Sequence, residues 1–318
     1  MLIIQKFGGS SLADLERLRR AAEKSLKARL SGHDVVVVVS AMGDSTDELL
    51  ALAHEIDPDP SPRELDALLG TGEQQSAALF AIMLESLGQC ARSFSGWQAG
   101  ILSGSVHGDS RIEWILPGRI SAALKSGCIA VVSGFQGVDL HGDVTTLGRG
   151  GSDTSAVALA AALEADRCEI YTDVDGIYTA DPRLLPEARF IPEIDYADML
   201  RLSRAGSQVL HDRSVELAMA NGVEIHLLSS FVEGGGSLVR ALPREKRPNF
   251  AGVTRDAAAG RITLVGKAAD AGTLSTMVLK LAEAKIAVLT GVVDEGLVSV
   301  TVDPALLLDA FRLVHGMI

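Results

Sequence analysis

The sequence predicts a three-layer α/β/α domain built on a mostly parallel sheet, followed by a small α+β module. Three observations carry that reading. Short apolar, β-branched runs alternate with segments of helical period as far as Ser229. Val35–Val39 is unbroken valine, the mark of a strand buried on both faces. Beyond the turn Gly234-Gly235-Gly236 and the polar stretch Pro243–Pro248 the texture changes to β, α, β, β, α.

Taken in order, Leu2–Phe7 reads as a strand. Leu12–Leu30 reads as an amphipathic helix, with Leu15, Leu18, Ala22 and Leu26 near a 3.6-residue period. After the valine strand, helices are expected at 46–55 and 63–87, separated by the Pro58–Pro62 loop. Ile129–Val132 is a short buried strand, and Val138–Thr145 a hairpin turning at His141-Gly142-Asp143. An alanine-rich helix over Thr154–Ala165 leads to a strand at Cys168–Thr172. A final helix and strand occupy Val215–Asn221 and Ile225–Ser229. The tail offers Ile262–Val265, Thr273–Ala284, Ile286–Val293, Leu297–Val302 and Ala305–Val314, with Phe250–Arg255 expected as a fourth strand. The expected division is therefore residues 1–240, a linker over 241–249, and a module over 250–318.

Composition narrows the function. A net charge of −12 argues against a nucleic-acid binder, while local cations still allow phosphorylated ligands. No apolar run is long enough for a membrane span and no signal-peptide core opens the chain, so a cytoplasmic protein is expected. Cys90, Cys128 and Cys168 show no C-x-x-C spacing, and buried, reduced thiols are expected.

Two glycine-rich turns carry the chemistry. Lys6-Phe7-Gly8-Gly9-Ser10-Ser11 ends a strand with a lysine and turns through glycines, which lets backbone N–H groups approach phosphate oxygens beside an ammonium. The spacing is not that of a Walker A loop. Gly148-Arg149-Gly150-Gly151-Ser152-Asp153 precedes the alanine-rich helix. Ser152 or Asp153 can cap that helix, Arg149 can hold a carboxylate by a bidentate pair, and Asp153 can orient Lys6 or a substrate amine. Thr172-Asp173-Val174-Asp175-Gly176-Ile177-Tyr178, continuing to Arg183, leaves a strand end with groups suited to a nucleotide. Its Asp-x-Asp-Gly piece lacks the final acid of a calcium loop. Ser40 and Thr46 sit at a strand end and the next helix start. Gly72, just before Glu73, marks a break in a long helical run. No metal-ligand spacing is present. His107 and His141 read as loop residues and His211 as structural.

These residues resemble the aspartate kinase branch of the amino-acid kinase family from Lys6 to about Phe231. The shared blocks are Lys6–Ser11, Ser40–Gly43, Leu69–Gln74, Gly96–Gly100, Gly134–Asp139, Thr145–Thr154 and Thr172–Arg183. The resemblance implies phosphorylation of the side-chain carboxylate of L-aspartate by ATP with Mg²⁺, giving 4-phospho-L-aspartate on the way to lysine, threonine and methionine. It implies that Lys6 meets the transferring phosphoryl group and Asp153 organises Lys6, with Gly8, Gly9 and Ser10 around the ATP phosphates. Ser40, Thr46, Glu73, Arg149 and Ser152 would bind aspartate, Glu73 near its ammonium and Arg149 on a carboxylate. Thr172, Asp173, Tyr178, Arg183, Gln208 and Val209 would hold the nucleotide. The tail resembles one ACT module, implying a homodimer through it.

The chain departs from the family pattern at several places. Gln208 stands where a lysine is usual, Asp212 where a proline is usual, and Leu228 where an arginine is common. Ala271-Gly272 replaces the usual Pro-Gly before the first ACT helix. A slower enzyme is expected from Gln208. The rival readings are a catalytically weak sensor of amino acid and nucleotide, and a related carboxylate kinase.

Overall fold

The computed structural model describes all 318 residues. From the N-terminus the chain forms β1 (Leu2–Phe7), α1 (Leu15–Leu30), β2 (Asp34–Val39), α2 (Ser45–Ile56), α3 (Pro62–Ser86), β3 (Ala91–Phe94), β4 (Ile101–Ser103) and β5 (Ile112–Ile115). It continues through α4 (Gly118–Lys125), β6 (Ile129–Ser133), β7 (Gln136–Val138), β8 (Val144–Thr146), α5 (Gly151–Ala162) and β9 (Arg167–Thr172). Next come β10 (Ile177–Tyr178), β11 (Phe190–Ile191), β12 (Glu193–Asp195), α6 (Tyr196–Arg204), α7 (Asp212–Asn221), β13 (Ile225–Ser229) and β14 (Ser237–Arg240). The last elements are β15 (Gly252–Asp256), β16 (Arg261–Val265), α8 (Ala271–Glu283), β17 (Thr290–Asp294), β18 (Leu297–Thr301) and α9 (Leu307–His315).

Contacts divide the chain into two units, Met1–Asp175 with Ala220–Gly234, and Gly176–Met219 with Gly235–Ile318. In the first unit, β13-β9-β1-β2-β6-β3 lie side by side, every pair parallel. One face packs Phe7, Val35, Val37, Val39 and Val131 against Leu18 and Ala22 of α1 and Phe80 and Leu84 of α3. The other is covered by α5, packed on β1, β2 and β9, and by α4, packed on β2 and β6. All five valines of Val35–Val39 are fully buried, which is why that strand has no polar alternation. The three layers are those the sequence predicts.

A smaller sheet in this unit, β5-β4-β7-β8, contains the expected hairpin: Val138 pairs antiparallel with Val144. Its turn is held by Asp139, whose Oδ1 accepts from the N–H groups of His141 and Asp143 at 2.9 and 3.0 Å.

Cys90 and Cys128, expected as reduced thiols, form a disulfide. They stand immediately before β3 and β6, which pair with Ala91 opposite Ile129. Sheet adjacency of segments 38 residues apart brings the two sulfurs together, and sequence spacing does not show adjacency. Cys168 is free and buried, and desolvation pushes its thiol pKa up.

In the second unit β15-β16-β18-β17 form an antiparallel sheet, with α8 and α9 packed on it. The strand expected at 250–255 is β15 and completes the sheet. Ala180 and Leu185 join the core of this module with Val253, Ile262, Met277 and Phe311, so the segment after Gly176 is part of it. The stretch expected as a linker is pinned. Arg247 makes a bidentate pair with fully buried Asp198 of α6 (3.0 and 2.6 Å), and Lys267 Nζ donates to the Arg244 carbonyl at 3.2 Å.

Thr179 Oγ1 accepts from the Arg189 N–H at 2.9 Å and also lies 2.9 Å from His315 Nε2, within hydrogen-bond distance. Desolvation lowers the His315 pKa from 6.5, so burial favours the neutral imidazole. The unfolded chain therefore takes up this proton at a higher pH than the folded one, and stability falls as pH drops below 6.5. His315→Gln removes that part of the fall, which thermal unfolding followed from neutral pH down to mildly acidic pH detects.

Candidate active site

Open parallel sheets bind ligands beyond the carboxyl ends of their strands, where successive connections leave in opposite directions. Here that point is β1, with β2 on one side and β9 on the other. The registers Phe7↔Val39, Phe7↔Tyr171 and Val39↔Ser133 bring four strand ends to one edge. Lys6–Ser10, Ser40–Thr46, Ser133 and Thr172–Asp173 therefore share that edge.

Lys6 is nearly buried, and its Nζ lies 2.6 Å from Asp153 Oδ1. Asp153 is in the first turn of α5. The cap itself is Gly150, not Ser152 or Asp153 as expected. Gly150 takes the left-handed conformation (φ 71°), so both side chains lie inside the helix, Ser152 buried and Asp153 free to meet Lys6. The β1 turn packs tightly on the exit of β2: a Cβ on Gly9 would lie 2.8 Å from the Ala41 carbonyl oxygen. The Gly43 N–H donates to the Gly9 carbonyl at 3.1 Å.

Glu73 sits in the middle of α3, which runs unbroken through Gly72. The expected helix break does not occur, because the glycine serves a close approach. A Cβ on Gly72 would come 3.0 Å from Ala41 Cβ. That approach sets Glu73 against the β2 exit, where Oε1 accepts from the Ala41 N–H at 3.0 Å. Glu73 is 3% exposed, and Oε2 has no partner. Desolvation pushes its carboxyl up to about 7, and the Ala41 N–H opposes that shift. A buried carboxylate oxygen without a donor is costly unless a ligand supplies one.

Ser40 and Thr46 are half-buried at the β2 exit and in the first turn of α2. Arg149 is exposed between β8 and α5, and no carboxylate of the chain pairs with it. Gly8 adjoins Lys6, a Cβ there lying 3.6 Å from Nζ. The Ser10 carbonyl accepts from Arg17 Nη1 at 2.8 Å. Thr172 Oγ1 donates to Asp173 Oδ1 at 3.1 Å, and the Thr172 carbonyl accepts from the Ser230 N–H at 2.8 Å.

The remaining four candidates belong to the second unit. Tyr178 packs edge-on against Phe190, with ring centroids 5.6 Å apart. Arg183 pairs with Asp181 at 2.9 Å and holds that carboxyl below its ordinary range. Gln208 is exposed and Val209 half-buried, ahead of α7. Asp212, one of the departures, lies 3.0 Å from His211 Nδ1 and 3.7 Å from Arg204.

Sequence reasoning missed Asp66. It is 1% exposed, shares the buried stripe of α3 with Gly70, Glu73, Ala77 and Phe80, and bonds to His107, Gly108 and Thr146. An acid on the apolar stripe of a helix was the available signal. His107, expected as a plain loop residue, is one of its partners.

Residues 1–229 match the model of the amino acid kinase family. The aspartokinase of Mycolicibacterium smegmatis is 49% identical over 290 residues, spanning 90% of this chain and 69% of that one. The chain belongs to the aspartokinase branch of the amino acid kinase family. Among solved aspartokinase structures, that of Synechocystis aspartate kinase superposes with a TM-score of 0.69 at 40% identity, covering 98% of this chain and 54% of that chain. Escherichia coli aspartokinase III in complex with aspartate and ADP superposes with a TM-score of 0.73 at 26% identity, covering 95% and 79%. The chain thus spans little more than half of the Synechocystis aspartokinase.

Proposed function

We propose that this chain transfers the γ-phosphoryl group of ATP to the side-chain carboxylate of L-aspartate, giving 4-phospho-L-aspartate and ADP for amino-acid biosynthesis. The observation that carries the proposal is the Lys6–Asp153 pair, set beside glycine turns on the sheet edge that also presents the half-satisfied Glu73. The E. coli relative solved with aspartate and ADP supports the same substrates.

Phosphoryl transfer asks a protein mainly for in-line positioning and charge neutralisation. Lys6 supplies a cation for the transferring group, held in place by Asp153. Gly8 and Gly9 let the backbone approach the phosphates, while Ser10, Thr172 and Asp173 flank them. Glu73 Oε2 offers the missing half of its hydrogen bonding to the aspartate ammonium. Arg149 receives a carboxylate, and Ser40, Thr46 and Ser152 take the aspartate-binding roles that the family resemblance implies for them. Tyr178, Arg183, Gln208 and Val209 serve the nucleotide, the role the family resemblance implies for them.

No group of three or more metal-binding side chains occurs, so Mg²⁺ would be held mainly by nucleotide oxygens and water. When bound it neutralises phosphate charge.

Homodimerisation through the ACT-like sheet belongs to the same proposal. Edge strand β17 is exposed along its whole length, with Val292, Val293 and nearby Leu289 uncovered. No helix is long and apolar enough to cross a membrane. A cytoplasmic enzyme is proposed.

Trapping the acyl phosphate with hydroxylamine tests the reaction. Wild-type protein with Mg-ATP and aspartate forms aspartyl hydroxamate, and Arg149→Ala forms about 10–10²-fold less at the same aspartate concentration, the loss that follows removal of hydrogen bonds to a charged group. Absence of product while both ligands bind would replace the kinase with the sensor reading.

A further inference from the structure

Arg149 is exposed, unpaired and carried by a loop, yet a bidentate carboxylate clamp works only from a fixed position. We infer that Asp66 of α3 is the residue that fixes it, a positioning residue for aspartate binding. The inference rests on the aspartate kinase reading above.

The Asp66 carboxylate is fully engaged. Oδ1 accepts from Thr146 Oγ1 at 2.6 Å, and Oδ2 accepts from the Thr146 N–H at 3.0 Å. The Gly108 N–H reaches both oxygens at 3.1 and 3.0 Å, and His107 Nδ1 lies 2.9 Å from Oδ2. With its lone pairs so occupied, this carboxylate is not placed to take a proton from a substrate. What it does is join three segments: α3, the 107–109 loop and the last residue of β8.

Arg149 follows three residues after Thr146. The intervening turn is braced from the second of those segments. Gly148 is left-handed (φ 70°), and a Cβ there would stand 2.5 Å from Asp109 Oδ1. The loop that Asp66 holds is therefore the wall against which the Arg149 turn is built. The Ser110 N–H adds a bond to the Thr146 carbonyl at 2.8 Å. Asp66 also shares its helix face with Glu73, two turns further on. One helix thus places the group proposed for the aspartate ammonium directly, and the group proposed for a carboxylate through a buried hub.

A merely structural Asp66 and a positioning Asp66 differ in kinetics. For Asp66→Asn the inference requires the KM for aspartate to rise about 10–100-fold, the consequence of a displaced clamp. The KM for ATP stays within about twofold, since nothing on the phosphate turns contacts Asp66. Thr146→Val is nearly isosteric and keeps the backbone bond. It raises the aspartate KM about two- to tenfold, the share of one hydrogen bond, and it decides the matter should Asp66→Asn fail to fold. Parallel rises in both KM values, or a lowered Tm with unchanged aspartate KM in either variant, would overturn the inference. Wild-type protein that turns over ATP with no preference for aspartate would instead overturn the functional reading beneath it.

Discussion

Lys6→Met lowers kcat by about 10²–10³-fold, the loss that follows removal of one preorganised transition-state cation. The ammonium sits at the end of β1 with its position set by Asp153, 2.6 Å away. Removing it also leaves the Asp153 carboxylate, only 13% exposed, facing the incoming phosphates without a counter-charge. Lys6→Arg does not restore the rate. The planar guanidinium does not reproduce the compact point charge that the ammonium holds 2.6 Å from Asp153. Aspartate binding survives in both variants, because Glu73 and Arg149 do not depend on Lys6. Initial rates from the hydroxylamine trap, beside calorimetric titration with aspartate, separate the two effects.

Glu73→Gln raises the KM for aspartate by about 10²–10³-fold, since it withdraws a buried charge from the substrate ammonium. The pH dependence of the wild type carries the same information. Free Glu73 has its carboxyl pushed up to about 7 by burial, and an ammonium binds only its ionised form. As pH falls below about 7, the aspartate KM of the wild type therefore rises by up to about tenfold per unit, and the Glu73→Gln variant loses that dependence. The stability effect has the opposite sign. The unfolded carboxyl ionises near 4.5 and the folded one near 7, so the native state holds the extra proton between these values. Stability thus declines as pH rises through that window, by roughly 3 kcal/mol in all. A neutral glutamine avoids the decline, and the ligand-free variant melts above the wild type at mildly alkaline pH. A variant that is more stable and fails to bind aspartate is the signature of a site built at the expense of the fold.

The parts of this site legible in the sequence were those fixed by local geometry. Lys6-Phe7-Gly8-Gly9 must follow a strand, and the parallel registers then carry it to the edge shared with Ser40 and Thr172. For Asp153 the residues alone left either Lys6 or a substrate amine as partner, and the family resemblance pointed to Lys6, which it meets at 2.6 Å. What stayed hidden depended on tertiary proximity. Gly72 was read as a helix break because a mid-helix glycine weakens a helix, whereas its reason is the Ala41 side chain across the gap. The cap of α5 was assigned to Ser152 or Asp153 by residue preference, but the left-handed Gly150 took the position. Asp66 gave only the faint signal of an acid on an apolar stripe, and its partners lie on segments some 40 and 80 residues away. The Cys90–Cys128 bridge and the pinning of 241–249 by Arg247 were invisible for the same reason.

The central claim is that the side-chain carboxylate of aspartate is the phosphoryl acceptor. NMR of the turnover mixture with aspartate carrying ¹³C in both carboxyl groups tests it most directly. The account predicts an acyl phosphate whose phosphorus couples to the side-chain carboxyl carbon and not to the main-chain one. Coupling to the main-chain carboxyl, or consumption of ATP with no acyl phosphate formed, would contradict it.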